Sequence, residues 1–130
     1  MPETYENIES YGEIAKFLQG QSEDIRSRNL SIIAEYIKFT KLNPKELIEE
    51  AVLDKQRQSP EYLPEQRLYS FFAHLLAEKK MDVESAIPYF NTVRIFYSKN
   101  GCPLKVSLPR ALRYAEYMLG VKVKGLLVRG

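Results

Sequence analysis

Helical punctuation recurs along the whole sequence and constrains the fold more than any other feature. In NPKELIEEAV, Asn43 offers a side-chain oxygen to the free amides of a helix start and Pro44 fits the first helical position. Leu47, Ile48, Ala51 and Val52 then fall on one stripe, and Glu46, Glu49 and Glu50 form a solvated acidic face. Ser22 followed by Glu23 and Asp24 is a similar start: a capping oxygen and two negative charges at the positive end of a helix dipole. That helix is predicted to run to about Thr40, with Ile25, Leu30, Ile33, Ala34 and Ile37 as its apolar stripe and Tyr36 alongside.

Four further helices follow the same spacing rule. Ile14, Phe17 and Leu18 predict a short one over 9–19, closed by Gly20. Leu68, Phe71, Phe72, Leu75 and Leu76 predict a long one over 65–80, after the polar, linker-like segment 54–61. Another begins at Asp82 and stops at Asn100-Gly101; Pro88 lies inside it, which predicts a bend. The last spans 109–119 and ends at Gly120. The tail VKVKGLLV alternates apolar and basic residues, so 121–130 reads as a linker or a contact between copies of the chain. The expectation is an all-α bundle of five or six helices over 1–120, within the usual size of one domain.

Several classes of function lack their residues. His74 is the single histidine, placed among Phe71, Phe72 and Leu75, which suits a partly buried core position better than a catalytic one. Cys102 is the single cysteine, so neither a disulfide nor a thiolate metal site is expected, and a reducing compartment fits. No GxxxxGK[ST] phosphate loop occurs, and adjacent pairs such as Glu49 and Glu50 point about 100° apart on a helix. No run of about 18 apolar residues is present and the N-terminus is acidic. These readings predict a cytoplasmic protein with no cofactor, no metal and no membrane span, and not an enzyme by itself.

Charge is unevenly spread. Residues 1–65 carry eight Lys/Arg against thirteen Asp/Glu, whereas 66–130 carry eleven against four. From Asn91 onward there are eight basic residues, among them Arg94, Lys99, Arg110 and Arg113, and one acid, Glu116. A local field of that sign favours a polyanion such as nucleic acid; a solvated basic surface, or a protein-interaction module docking on an acidic partner, is the alternative.

Taken together, the helix opening at Ser22 with Leu30 and Tyr36, the FTKLNPKELIEEA segment, and the later helix from DVESA to VRIFYSKNG resemble the N-terminal core-binding domain of tyrosine recombinases, the phage integrases and Xer-type enzymes. The likeness covers about residues 9–105 and is greatest to archaeal members. Its most specific part is VRIFYSKNG with Ser85 nine residues before Arg94. The resemblance implies a SAM-like helical domain that arches over double-stranded DNA and uses two helices to meet the major groove and flanking phosphates. Here those helices begin at Ser22 and Asp82, which assigns contact roles to Arg26 and Arg28 on one and to Ser85, Arg94 and Lys99 on the other. The charge count adds Arg110 and Arg113. Pro88 and the acidic IESYGE segment depart from the family pattern. The family's catalytic half, with its arginines, lysine, histidines and attacking tyrosine, has no counterpart in these residues, so DNA binding in integration or recombination is implied without the chemistry.

In YFNTVRIFYSKNG, Val93, Ile95, Phe96 and Tyr97 cannot share one face of a helix. Some of Ile95, Phe96 and Tyr97 are expected inward, with Arg94 and Lys99 outward. Arg94 has two possible roles at this point: a phosphate contact, or an ion pair with Glu13 or Glu35.

Overall fold

Caps and stops divide the chain much as the spacing predicts. The computed structural model describes residues 5–120, which form a 3-10 helix, Tyr5–Ser10, and six α-helices: α1 (Gly12–Leu18), α2 (Glu23–Thr40), α3 (Pro44–Gln56), α4 (Leu63–Ala77), α5 (Val83–Lys99) and α6 (Leu108–Leu119). No strand occurs among the described residues, and the fold is an all-α bundle. The segment 121–130, read above as a linker or oligomer contact, lies outside the described residues.

Local chemistry sets several of the boundaries. At the start of α3 the Asn43 side chain accepts from the Glu46 amide at 2.8 Å while the Glu46 carboxylate accepts from the Asn43 amide at 2.9 Å, a reciprocal capping box. Asp82 caps α5 by accepting from the Ser85 amide at 2.8 Å, and Ser107 caps α6 by accepting from the Arg110 amide at 3.3 Å. Ser22 occupies the N-cap position of α2, but its side chain makes no capping hydrogen bond. Helix α5 ends where Gly101 turns at φ 81°, a left-handed conformation that costs glycine little, and the Cys102 amide returns to the Tyr97 carbonyl at 2.9 Å. The Asn100 side chain donates to the Glu13 carbonyl at 3.1 Å and to the Phe96 carbonyl at 2.9 Å, tying this turn to α1.

The core is aromatic. Phe17, Tyr36, Phe71, Phe72, Phe90, Phe96 and Tyr97 are all buried and bring α1, α2, α4 and α5 together. Edge-on ring contacts join Phe17 to Phe96 at 5.6 Å, Tyr36 to Phe71 at 5.0 Å and Phe72 to Phe90 at 5.7 Å. Helix α4 is central: α2, α3, α5 and α6 all pack on it, and α6 has α4 as its principal neighbour. Ala111 and Ala115, both fully buried, let the α6 backbone approach α4 closely.

Several expectations are corrected. The segment predicted as one helix over 9–19 divides near Tyr11 into the 3-10 helix and α1. Helix α4 starts earlier and stops sooner than predicted, at Leu63 and Ala77; the chain then turns through Lys80 at φ 58°. Ile25 and Val52 are exposed rather than core: Ile25 lies in the first turn of α2, and Val52 at the rim of the α3 stripe. The linker-like segment 54–61 begins inside α3 and is held by a buried carboxylate: Asp54 accepts from the Glu61 amide at 3.0 Å and the Tyr62 amide at 2.9 Å. Glu50 is not simply solvated, since both its oxygens accept from Arg67 of α4 at 2.7 Å. Pro88 lies on the exposed side of an otherwise continuous α5, so the backbone acceptor it leaves free, the Glu84 carbonyl, is on a solvated turn.

Candidate nucleic-acid interface

Helix geometry decides which of the nominated residues share a face. On α5, Val83, Ala86, Phe90, Thr92, Val93, Phe96 and Tyr97 are buried, leaving Glu84, Ser85, Pro88, Asn91, Arg94, Ile95, Ser98 and Lys99 exposed. Phe96 and Tyr97 are thus the inward pair and Ile95 the outward one. At 100° per residue, Arg94 and Lys99 stand about 140° apart, and Ser85 is about 180° from Arg94. They flank the exposed face of α5 from opposite edges rather than forming one row.

The same arithmetic separates Arg26 from Arg28 on α2 by about 160°. Arg26 reaches back toward α1, its guanidinium donating to the Leu18 carbonyl at 3.4 Å, while Arg28 is exposed next to the acids Asp24 and Glu35 of its own helix face. Helix α2 therefore presents mixed charge.

Arg94 makes no ion pair among the described residues. The partner foreseen as one alternative, Glu35, pairs instead with Lys79 at 3.6 Å, and the other, Glu13, contributes only its backbone carbonyl to the turn after α5. The ion pairs among the described residues join Arg57 to Glu61, Arg67 to Glu50 and Lys79 to Glu35. None of Arg26, Arg28, Arg94, Lys99, Arg110 or Arg113 takes part in one, and all six are exposed. The three acids that do pair, Glu35, Glu50 and Glu61, are held by Lys79, Arg67 and Arg57.

Helix α6 gathers what α2 and α5 spread. Arg110, Arg113 and Tyr117 recur at three and four residues, within about 60° of one another on the helix surface. Leu108, Ala111, Leu112, Ala115 and Leu119 occupy the opposite stripe, against α4. Tyr114, at the edge, is held inward: its hydroxyl meets that of Ser70 at 3.1 Å and its ring stacks on Tyr69 at 6.0 Å. Tyr117 is 82% exposed and has no ring contact or hydrogen bond among the described residues. Glu116, the nearest acid, is turned about 60° from Arg113 on the side away from Tyr117. The sequence nominated Arg110 and Arg113 by charge; it missed Tyr117, whose signal was its position seven residues after Arg110.

Other chemistries find little to use. His74 is half-buried between Phe39 at 4.8 Å and Phe71 at 6.4 Å, an aromatic packing site as expected. No group of three or more His, Cys, Asp or Glu among the described residues is arranged to hold a metal ion. No helix there is long and apolar enough to cross a membrane.

What the fold defines is a class, an all-α bundle. Comparison with protein-family models, curated proteins and solved structures finds no match to this chain.

Proposed function

We propose that this chain is a cytoplasmic DNA-binding domain of the integrase or tyrosine-recombinase kind, which grips double-stranded DNA chiefly through its phosphates. The observation that carries the reading is that the nominated cations Arg28, Arg94, Lys99, Arg110 and Arg113 are exposed and make no ion pair among the described residues. Each such side chain is available to neutralise a phosphate and release a condensed counterion, and release of counterions is what drives sequence-tolerant binding. The resemblance in the α2 and α5 segments supports duplex DNA as the polyanion. Ser85, exposed in the first turn of α5, suits a hydroxyl contact to a phosphate oxygen. On this reading the domain positions DNA, and bond cleavage belongs to residues outside the chain described.

Titration of a fluorescent random duplex tests it. If five phosphates are neutralised, log K falls with log salt at a slope of about −4 to −5. Binding that is absent at low salt, or indifferent to salt, contradicts the proposal.

A further inference from the structure

Resting on the DNA-binding reading, we propose that the outer face of α6 is a second contact site, one that takes single-stranded DNA by stacking an unpaired base on Tyr117 next to phosphates held by Arg113 and Arg110 along the same face. The placement rests on three observations. Tyr117 is 82% exposed although a tyrosine ring is largely apolar, and no described side chain covers it. It follows Arg113 by one helical turn and Arg110 by two, so ring and cations point the same way. The face spans about 10 Å along the axis, the length of about three stacked nucleotides at 3.4 Å each.

The pairing of an aromatic ring with cations on the same face selects among polyanions. In duplex DNA the base faces are already stacked on each other, so an exposed tyrosine gains little there. Unpaired bases have free faces, and stacking on an aromatic side chain is tolerant of sequence because every base offers a π-surface. The inner stripe of α6 is occupied by α4 and Tyr114 is fixed by Ser70 and Tyr69, so the outer face is presented on a rigid support.

The experiment uses the full chain and two probes, an oligo-dT single strand and a hairpin duplex closed by a non-nucleotide linker and with no overhang, so that it has no unpaired base, with anisotropy read for the wild type, Tyr117→Ala, Tyr117→Trp and the double variant Arg110→Gln/Arg113→Gln. Melting temperature is recorded for each variant. The expected result is a loss of about tenfold or more in oligo-dT affinity for Tyr117→Ala. Hairpin affinity and melting temperature stay unchanged, and Tyr117→Trp restores the single-strand affinity. The double arginine variant weakens both probes. If Tyr117→Ala binds oligo-dT as the wild type does, or loses affinity equally for both probes, the stacking site is overturned while duplex binding stands. If the wild type binds neither probe, the DNA-binding reading falls as well.

Discussion

The phenol oxygens of Tyr36 and Tyr97 meet at 3.0 Å inside the core, joining α2 to α5 across 61 residues of sequence. The rings also pack edge-on at 6.2 Å, so one contact supplies both a hydrogen bond and aromatic packing. This pair fixes how the two helices of the resemblance sit against each other.

Removing one hydroxyl leaves the other buried without a partner. Tyr36→Phe and Tyr97→Phe are each expected to cost about 1 to 3 kcal/mol, while the double variant costs less than the sum of the two. Urea unfolding of the three variants measures this directly.

The pair also sets an alkaline limit. Burial pushes both phenols above the ordinary tyrosine range, and the neighbouring Tyr36 adds to the effect at Tyr97. In the unfolded chain they release their protons near pH 10, while the folded chain retains them. Above that pH the unfolded state binds fewer protons, so stability is full below about pH 10 and falls as pH rises, by up to about 1.4 kcal/mol per pH unit for each tyrosine. Melting temperature followed from pH 8 to 12 should decline less steeply in the Tyr36→Phe/Tyr97→Phe protein.

Asp54 holds the turn between α3 and α4 by accepting two backbone amides with a carboxylate that is almost fully buried. Asp54→Ala strips both amides of their acceptor and is expected to destabilise the fold by about 2 to 3 kcal/mol. Trypsin cleavage after Arg57 should accelerate in this variant under native conditions. Unchanged cleavage would mean the turn is held by something else.

How much of this was legible in the sequence follows the range of the interactions. Asn43, Asp82 and Gly101 act on amides and carbonyls within a few residues of themselves, so the starts of α3 and α5 and the end of α5 could be read directly. The carboxylate of Asp54 acts seven and eight residues away, and Glu50 finds Arg67 seventeen residues away on another helix. Such distances leave no local pattern, which is why a clasped turn read as a linker and an ion-paired glutamate as a solvated one. On the candidate interface, exposure of the nominated cations was readable from helical spacing. Whether Arg94 had a partner depended on Lys79 reaching Glu35, a matter of tertiary packing.

The Arg67–Glu50 contact is bidentate and partly buried, and the hydrogen bonds that Arg67 donates to Glu50 raise the guanidinium's affinity for its proton above the ordinary arginine value. Glu50→Gln keeps the shape but replaces a charged acceptor with a neutral one. It is expected to cost about 1 to 3 kcal/mol, read by urea unfolding, and to leave DNA affinity unchanged because neither residue belongs to the exposed cation set.

The most direct test of the account is the salt dependence of duplex binding in Arg94→Ala, measured beside its melting temperature on the same sample. Arg94 is exposed and makes no ion pair among the described residues, so its loss should leave the melting temperature within about a degree or two of the wild type. The slope of log K against log salt, taken between about 50 and 200 mM, should become shallower by about 0.9, with affinity reduced alike for all duplex sequences. A protein of unchanged stability that binds duplex DNA with the wild-type slope and affinity would contradict the phosphate role of Arg94 and, with it, the placement of DNA along α5.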